Sequence, residues 1–204
     1  MNQIIEAILE RRTTVLFDPA HRLEDAEISE LVRLATRAPT AFNLQNWRFI
    51  AVRTPDSKAR LRAVAWDQAK ITESAVTFII CGQIADHRRV PEMLLPAVEA
   101  GIMPATMVGG WEAGAKSLYH EQAQRGRDEA VRTATFGAGH LIFAAHAMGL
   151  GAGPMIGFDA DAVAREFGLA QDEIPVVLVS VGKGTPENWP QKPRRPLSDV
   201  LTLV

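Results

Sequence analysis

Residues 175–181 read Pro-Val-Val-Leu-Val-Ser-Val, and this run of mostly β-branched, apolar side chains decides the fold class of the 204-residue chain. A run without polar alternation is typical of a strand inside a sheet, so we expect residues 175–181 to form a central strand. Residues 75–81 are a second apolar run, and residues 47–52 predict a further strand. Helical patterns alternate with these runs, which indicates an α+β fold with α/β-like alternation.

Apolar residues at helical spacing predict the segments around the strands. Residues 127–148 are apolar or small on nearly all sides, which is typical of a helix buried on most faces. A monomer of this size does not easily cover such a helix, so we expect a homodimer. Further helices are predicted over residues 1–12, 23–37, 55–65 and 159–166, the last with Asp159 as its N-cap. Residues 83–126 predict one or two helices over a pocket.

The composition excludes several classes of protein. Basic and acidic residues number 22 and 24, so no basic surface favours a nucleic-acid partner. Cys81 is the only cysteine, which excludes an internal disulfide and a thiolate metal cluster. We find neither a signal-peptide pattern nor an apolar stretch long enough for a membrane, and therefore expect a soluble, cytoplasmic protein. The sequence contains no internal repeat and no linker between two cores. We therefore expect residues 1–204 to form a single domain, in which residues 183–204 form an extended arm.

Motifs for acid, base and nucleophilic catalysis are absent. The chain has no Gly-x-Ser-x-Gly elbow and no Gly-Lys-Ser or Gly-Lys-Thr phosphate loop. His140 and His146 lie on different faces of their helix, so we expect no metal site there. Gly149, Gly151 and Gly153 follow a helix, whereas a dinucleotide fingerprint must follow a strand. We therefore predict no catalytic side chain, no metal and no Rossmann site.

Two basic sets form a candidate anion site. Arg11, Arg12 and Thr13 combine two guanidinium groups with a hydroxyl at a helix end, and Lys192 and Arg194 form a second set. Both sets suit a phosphate monoester. Alternatively, the arginines complement the helix dipole and the second set belongs to a solvated tail. Position in the sequence leaves both interpretations open.

Two loops offer backbone and amide groups to a planar heterocycle. Residues 39–47 read Pro-Thr-Ala-Phe-Asn-Leu-Gln-Asn-Trp, and their amides match both donors and acceptors. Residues 153–158 read Gly-Pro-Met-Ile-Gly-Phe, and the glycines permit close approach of a flat ring. The alternatives are an ordinary helix-to-strand loop for the first segment and a plain turn into a helix for the second.

Taken in order, these segments resemble the nitroreductase family of FMN enzymes along most of the chain. The family's arginine-rich opening is matched by Arg11, Arg12 and Thr13, and its Pro-Ser-Ser-x-Asn-x-Gln-Pro-Trp loop by residues 39–47. Residues 149–159 are similar to the turn after the family's long core helix. Residues 192–196, Lys-Pro-Arg-Arg-Pro, resemble its C-terminal phosphate contact.

The resemblance implies a twisted central sheet flanked by helices and an intertwined homodimer with two FMN molecules at the interface. It assigns the phosphate to Arg11, Arg12, Thr13, Lys192 and Arg194. Gln68, with Asp67 as the competing alignment, would lie near the ribityl chain or the ring. The backbone of Ile156 and Gly157 would face the flavin N5 edge. The cofactor site would also include Pro154 and Met155, and from the second subunit Pro39, Thr40, Ala41 and Asn43.

The implied activity is hydride transfer from NAD(P)H through FMN to a small acceptor, such as a nitroaromatic or a quinone, by a ping-pong mechanism. The alternatives are a specialised member such as a semialdehyde or enal reductase or a dehalogenase, a flavin-binding protein without turnover, and a structural dimer without flavin. Asn46 stands where proline is usual, Ile156 where some members carry glutamate, and Val15 where some carry a basic residue. Residues 83–126 match poorly and leave the acceptor open.

Overall fold

The computed structural model describes residues 2–204, and these contain a sheet of four strands in the order β1-β2-β4-β3. The strands are β1 (Trp47–Val52), β2 (Val76–Gln83), β3 (Gly151–Met155) and β4 (Glu173–Gly182). Each neighbouring pair is antiparallel. The predicted strands at 47–52, 75–81 and 175–181 are confirmed, and the last lies at the centre of the sheet as expected.

Helices surround the sheet and follow the predicted order, with one additional short helix, α4, that the sequence did not predict. Their bounds are α1 (Gln3–Glu10), α2 (Asp25–Ala35), α3 (Pro55–Ala63), α4 (Lys70–Glu73), α5 (Val90–Glu99), α6 (Val108–Tyr119), α7 (Ala123–Ala147) and α8 (Ala160–Glu166). Asp159 caps α8, since its carboxylate accepts a hydrogen bond from the Ala162 amide at 2.9 Å. The segment 83–126 contains two α-helices, α5 and α6. No helix in the described chain is both long and apolar enough to cross a bilayer.

The two faces of β2 contribute to two different cores because successive side chains of a strand point to opposite sides. Phe78 and Ile80 pack with α2 and α7, whereas Ile79 and Cys81 pack with α3, α4 and α8. Helix α7 crosses the sheet very closely at Gly82, where an added Cβ would lie 2.0 Å from the Ala130 carbonyl oxygen. A third cluster lies beneath α5 and α6 and includes Leu44.

The interpretation of residues 153–158 as a plain turn is wrong for the first three of these residues, which belong to β3. Glycine has a low strand propensity, and these residues show no alternation of apolar and polar side chains. The strand could therefore not be predicted from the sequence. Its small residues are needed because the chain after α1 passes directly over it. A Cβ at Gly151 would lie 2.4 Å from the Thr14 hydroxyl oxygen, and one at Gly153 would lie 2.3 Å from the Thr14 carbonyl oxygen.

Several apolar surfaces remain uncovered in the single chain. Helix α7 is buried along much of its length, yet Phe136 and Phe143 are exposed on it. Helix α1 exposes Ile4, Ile5, Ile8 and Leu9, and the arm exposes Leu197, Val200, Leu201, Leu203 and Val204. The apolar end of the arm therefore does not dock on its own chain.

Candidate functional site

The chain leaving α1 runs along the free edge of the sheet. Arg11 ends the helix with an amide hydrogen bond of 3.1 Å to the Ala7 carbonyl. Thr13 then pairs with Ala152 of β3, and the Thr14 amide donates to the Ala152 carbonyl at 2.9 Å. This pairing fixes Arg11, Arg12 and Thr13 at one end of β3.

A buried asparagine attaches the arm to this same segment. The Asn188 Oδ1 atom accepts hydrogen bonds from the amides of Val15 and Leu16, at 2.7 and 3.0 Å. Its Nδ2 atom donates to the carbonyls of Leu16 and Thr185, at 2.7 and 3.0 Å. Sequence reasoning missed Asn188 because an asparagine in a proline-rich tail looks like an ordinary turn residue.

This attachment brings the two predicted basic sets to adjoining cavities. Arg11 and Arg12 line a cavity of about 620 Å³, and Thr13, Lys192 and Arg194 line one of about 330 Å³. The two cavities share the lining residues Asn188, Pro190 and Gln191. Residues separated by almost the whole length of the chain therefore surround one continuous region beside β3.

The cations of this region have no carboxylate partner within residues 2–204. Among described contacts, the Arg194 guanidinium donates to the Lys192 carbonyl at 3.3 Å, and the Lys192 ammonium lies 5.4 Å from the centre of the Trp189 ring. Side-chain hydrogen bonds from Arg11 or Arg12 to the last carbonyls of α1 are absent from the described structure. The linings of the two cavities also include the carboxylates of Glu10 and Glu187. Four cations against two carboxylates leave an excess of positive charge, which favours an anion over the helix-dipole interpretation.

Gln68 contacts the backbone at the other end of β3. Its side-chain amide donates to the Gly157 carbonyl at 2.8 Å, and Ile156 beside this glycine is 80% exposed. Asp67, the competing candidate, instead pairs with Arg62 at 2.6 Å. The structure thus brings Gln68, Ile156 and Gly157 together, after Pro154 and Met155 of β3.

Lys70 is a residue that the sequence analysis missed. Its side chain is half-buried next to β3, since a Cβ at Gly153 would lie 3.6 Å from the Lys70 Cδ atom. Burial lowers the pKa of Lys70, and no hydrogen bond or ion pair to its ammonium occurs within residues 2–204. A half-buried ammonium without a partner favours a neighbouring electron-rich ligand. No sequence signal distinguishes this lysine from a solvated one.

Side-chain hydrogen bonds hold the loop at residues 39–46, which lacks regular structure beyond one 3-10 turn, Ala41–Asn43. The Thr40 hydroxyl accepts from the Gln45 amide at 3.1 Å, and the Asn43 side-chain amide donates to the Met93 carbonyl at 3.1 Å. Asn46 is buried and donates to the Gln83 carbonyl at 2.7 Å, so it fastens the loop to β2 where the family usually has proline.

One chain alone does not bring this loop to the other predicted site residues. The loop leads into β1, and β3 is the opposite edge of the sheet, with β2 and β4 between them. Three strand spacings separate the two edges by about 14 Å. Pro39, Thr40, Ala41 and Asn43 therefore lie apart from the residues around β3 in the single chain.

Within residues 2–204, no group of three or more His, Cys, Asp or Glu side chains is arranged to hold a metal ion. The region beside β3 offers cations, amides and backbone groups to a ligand. Comparison with known proteins agrees with the resemblance seen in the sequence. Residues 8–183 match the model of the nitroreductase family. The chain belongs to the nitroreductase family.

Individual relatives cover nearly the whole chain. DrgA of Synechocystis is 33% identical over 98% of this chain and 95% of its own length. A Thermus thermophilus protein named NADH dehydrogenase is 30% identical over 85% of this chain and 83% of its own length. A protein of Exiguobacterium sibiricum, solved in complex with FMN, has a TM-score of 0.90 at 25% identity and covers 98% of this chain and 96% of that chain. These findings confirm the predicted family and fold, and this member of the nitroreductase family is an oxidoreductase.

Proposed function

We propose that the chain is an FMN-dependent NAD(P)H oxidoreductase that works as a homodimer and reduces a small acceptor. The observation that carries this proposal is the meeting of Arg11, Arg12, Lys192 and Arg194 beside β3, in two adjoining cavities where these four cations exceed the two lining carboxylates, Glu10 and Glu187. The FMN complex of the relative from Exiguobacterium sibiricum and the name of the Thermus relative support the choice of cofactor and electron donor.

The basic region holds the phosphate of the cofactor. A phosphate dianion accepts several charge-assisted hydrogen bonds, and guanidinium groups present their donors in pairs. Arg11 and Arg12 approach from one side, the Thr13 hydroxyl adds a donor, and Lys192 and Arg194 approach from the arm. Asn188 positions the arm for this contact through its hydrogen bonds to Val15 and Leu16.

The far end of β3 holds the ring. Ala152 and Met155 are separated by about 10 Å along the strand, so a ligand with its phosphate near Thr13 extends toward Gly157. Pro154, Met155, Ile156 and Gly157 provide backbone for the ring edge, and Gln68 fixes the conformation of Gly157. The ammonium of Lys70 provides positive charge to the electron-rich part of the heterocycle.

A second copy of the chain completes the site. The loop with Pro39, Thr40, Ala41 and Asn43 lies too far from β3 of its own chain, whereas a twofold partner would bring its loop there. The exposed apolar side chains of α1, α7 and the arm provide the contact surface for such a dimer. We therefore treat residues 1–204 as one FMN-binding unit whose arm, residues 183–204, extends onto the partner.

Bound FMN would supply the hydride chemistry, accepting a hydride from the nicotinamide and passing it to the acceptor. The side chains of this protein then bind and orient the reactants, and no dedicated acid, base or metal is needed. Since the donor and the acceptor would use the same exposed ring face in turn, we expect ping-pong kinetics. Nitroaromatics and quinones are the first acceptors to test.

The experiment is identification of the cofactor and of the oligomer. The protein purified in the presence of FMN is heated, the released pigment is chromatographed, and the holoprotein is measured by light scattering. The proposal expects one FMN per chain and a dimer. Released FAD, no flavin after reconstitution, or a monomer that holds FMN would contradict it.

A further inference from the structure

Trp66 displays its ring to solvent from a backbone conformation that tryptophan rarely adopts. Its side chain is 77% exposed, and its φ is +50°, in the left-handed region. Asp67 follows with a φ of +53°. Non-glycine residues avoid this region because Cβ meets the following carbonyl, so such pairs persist where the surroundings enforce them.

The segment around Trp66 is held on both sides. Toward α3, the Asp67 amide donates to the Arg62 carbonyl at 3.3 Å and the Asp67 carboxylate pairs with the Arg62 guanidinium. Toward β3, the Gln68 side chain donates to the Gly157 carbonyl at 2.8 Å. These contacts hold the backbone of Trp66 in place, but they do not bury the ring. Trp66 belongs to none of the three apolar clusters of residues 2–204.

The ring lies directly against Gly157. A Cβ built on Gly157 would lie 2.6 Å from Cε3 and 3.0 Å from Cζ3 of Trp66. Ile156, beside this glycine, is 80% exposed, so the two apolar side chains flank the backbone to which the proposed function assigns the flavin N5 edge. Reacting atoms of an acceptor would come to this edge.

We propose that Trp66 is a stacking surface that selects planar aromatic acceptors at the site, an inference that rests on the proposed function. An exposed indole offers a large flat apolar face, and aromatic rings gain from offset stacking beyond the area they bury. Saturated rings of equal size lack this additional stabilisation from stacking. Trp66 therefore sets the preference for a flat ring, while the cofactor contacts lie elsewhere.

The test compares wild type with Trp66→Gly, using reduction of ferricyanide, which has no ring, as the reference activity. Benzoate and cyclohexanecarboxylate serve as inhibitors because they share size and charge and differ in planarity. We expect wild type to bind benzoate more tightly, and Trp66→Gly to lose about three- to tenfold in benzoate affinity, with cyclohexanecarboxylate and ferricyanide little changed. Trp66→Phe should keep most of the preference.

Stability provides a second readout. Glycine adopts a φ near +50° without strain, so Trp66→Gly should melt at or above the wild-type temperature, whereas replacement of a structural tryptophan would lower it. Glu121→Gly is the matched control, since Glu121 has a φ of +56° at an exposed position after α6. The control should change stability in the same direction and leave both inhibition constants unchanged.

Three results would overturn the inference with the proposed function intact: equal binding of the two inhibitors by wild type, an unchanged preference in Trp66→Gly, or dissociation of the dimer by that substitution. The last result would assign the ring to subunit contact. Failure of NADH and NADPH to reduce the bound flavin of wild type would instead overturn the proposed function, and this inference with it.

Discussion

The side-chain amide of Asn188 satisfies both backbone groups of Leu16. Oδ1 accepts from the Leu16 amide at 3.0 Å, and Nδ2 donates to the Leu16 carbonyl at 2.7 Å. Backbone hydrogen bonds join the same two segments, from the Asp18 amide to the Lys183 carbonyl at 2.8 Å and from the Thr185 amide to the Leu16 carbonyl at 3.1 Å. Asn188 thus extends this pairing toward the cations of the arm and contributes to their position.

Asn188→Ala should destabilise the fold and weaken FMN binding together. The substitution removes four hydrogen bonds and leaves the amides of Val15 and Leu16 without their acceptor, whereas the Leu16 carbonyl keeps the Thr185 amide as a donor. We expect a loss of about 2–4 kcal/mol in the free energy of unfolding and a lower affinity for FMN. Denaturant titration and flavin fluorescence measure the two effects. Full flavin affinity in this variant would show that the arm does not contribute to the phosphate site.

Arg12→Ala should weaken FMN binding with little effect on the fold. Loss of one charge-assisted phosphate contact corresponds to about 1.5–3 kcal/mol, or roughly ten- to a hundredfold in dissociation constant. Arg165→Ala is the matched control, because Arg165 is exposed on α8 and makes no ion pair within the described chain. Normal flavin binding combined with a much lower melting temperature would support the helix-dipole interpretation of Arg12.

The arm should have two separable roles. Deletion of residues 192–204 is expected to strip FMN and loosen the dimer together, because it removes two cations and the exposed apolar end. The double substitution of Lys192 and Arg194 by alanine should lower flavin affinity while the dimer persists. Light scattering and flavin content distinguish these outcomes. Full flavin content in the truncated protein would make the arm a solvated tail.

Tyr119 offers a pH-dependent test of the packing between α6 and α7. The Tyr119 hydroxyl donates a hydrogen bond to the Glu129 carboxylate at 3.2 Å. Burial, together with this adjacent negative charge, raises the pKa of Tyr119 to about 12. Because the unfolded chain loses this proton near pH 10, the contribution of Tyr119 to stability is present below about pH 10 and is lost toward pH 12.

Tyr119 is the only tyrosine of the chain, so absorbance of the phenolate reports this residue directly. We expect the phenolate band of the folded protein to appear near pH 12, and Tyr119→Phe to remove part of the alkaline loss of stability. A phenolate that forms near pH 10 in folded protein would show that Tyr119 is solvated and not bonded to Glu129.

The three strands with mostly apolar side chains could be predicted from the sequence. The strand built from small residues, β3, could not. Residues 47–52, 75–81 and 175–181 are rich in apolar residues, so their burial was evident. β3 is built from small residues that leave space for Thr14, and this packing is invisible to any local pattern. Strand order and direction depend on pairing between distant segments, which propensity does not encode.

The candidate site was predictable where the family motif is local, and less so where it depends on folding. The two basic sets were identified, but Asn188, which brings the arm to the first set, was not. Gln68 and Asp67 were indistinguishable by alignment, and in the structure Gln68 bonds to Gly157 whereas Asp67 pairs with Arg62. Lys70 became a candidate site residue only because the structure shows that its side chain is half-buried.

The most direct test of the central claim is the visible spectrum of the purified protein, recorded without oxygen before and after addition of NADH and then NADPH. We expect flavin absorption bands that one or both nicotinamides bleach within seconds and that an added nitroaromatic or quinone restores. A protein that stays colourless after reconstitution with FMN, or whose bound flavin neither nicotinamide reduces, would contradict it.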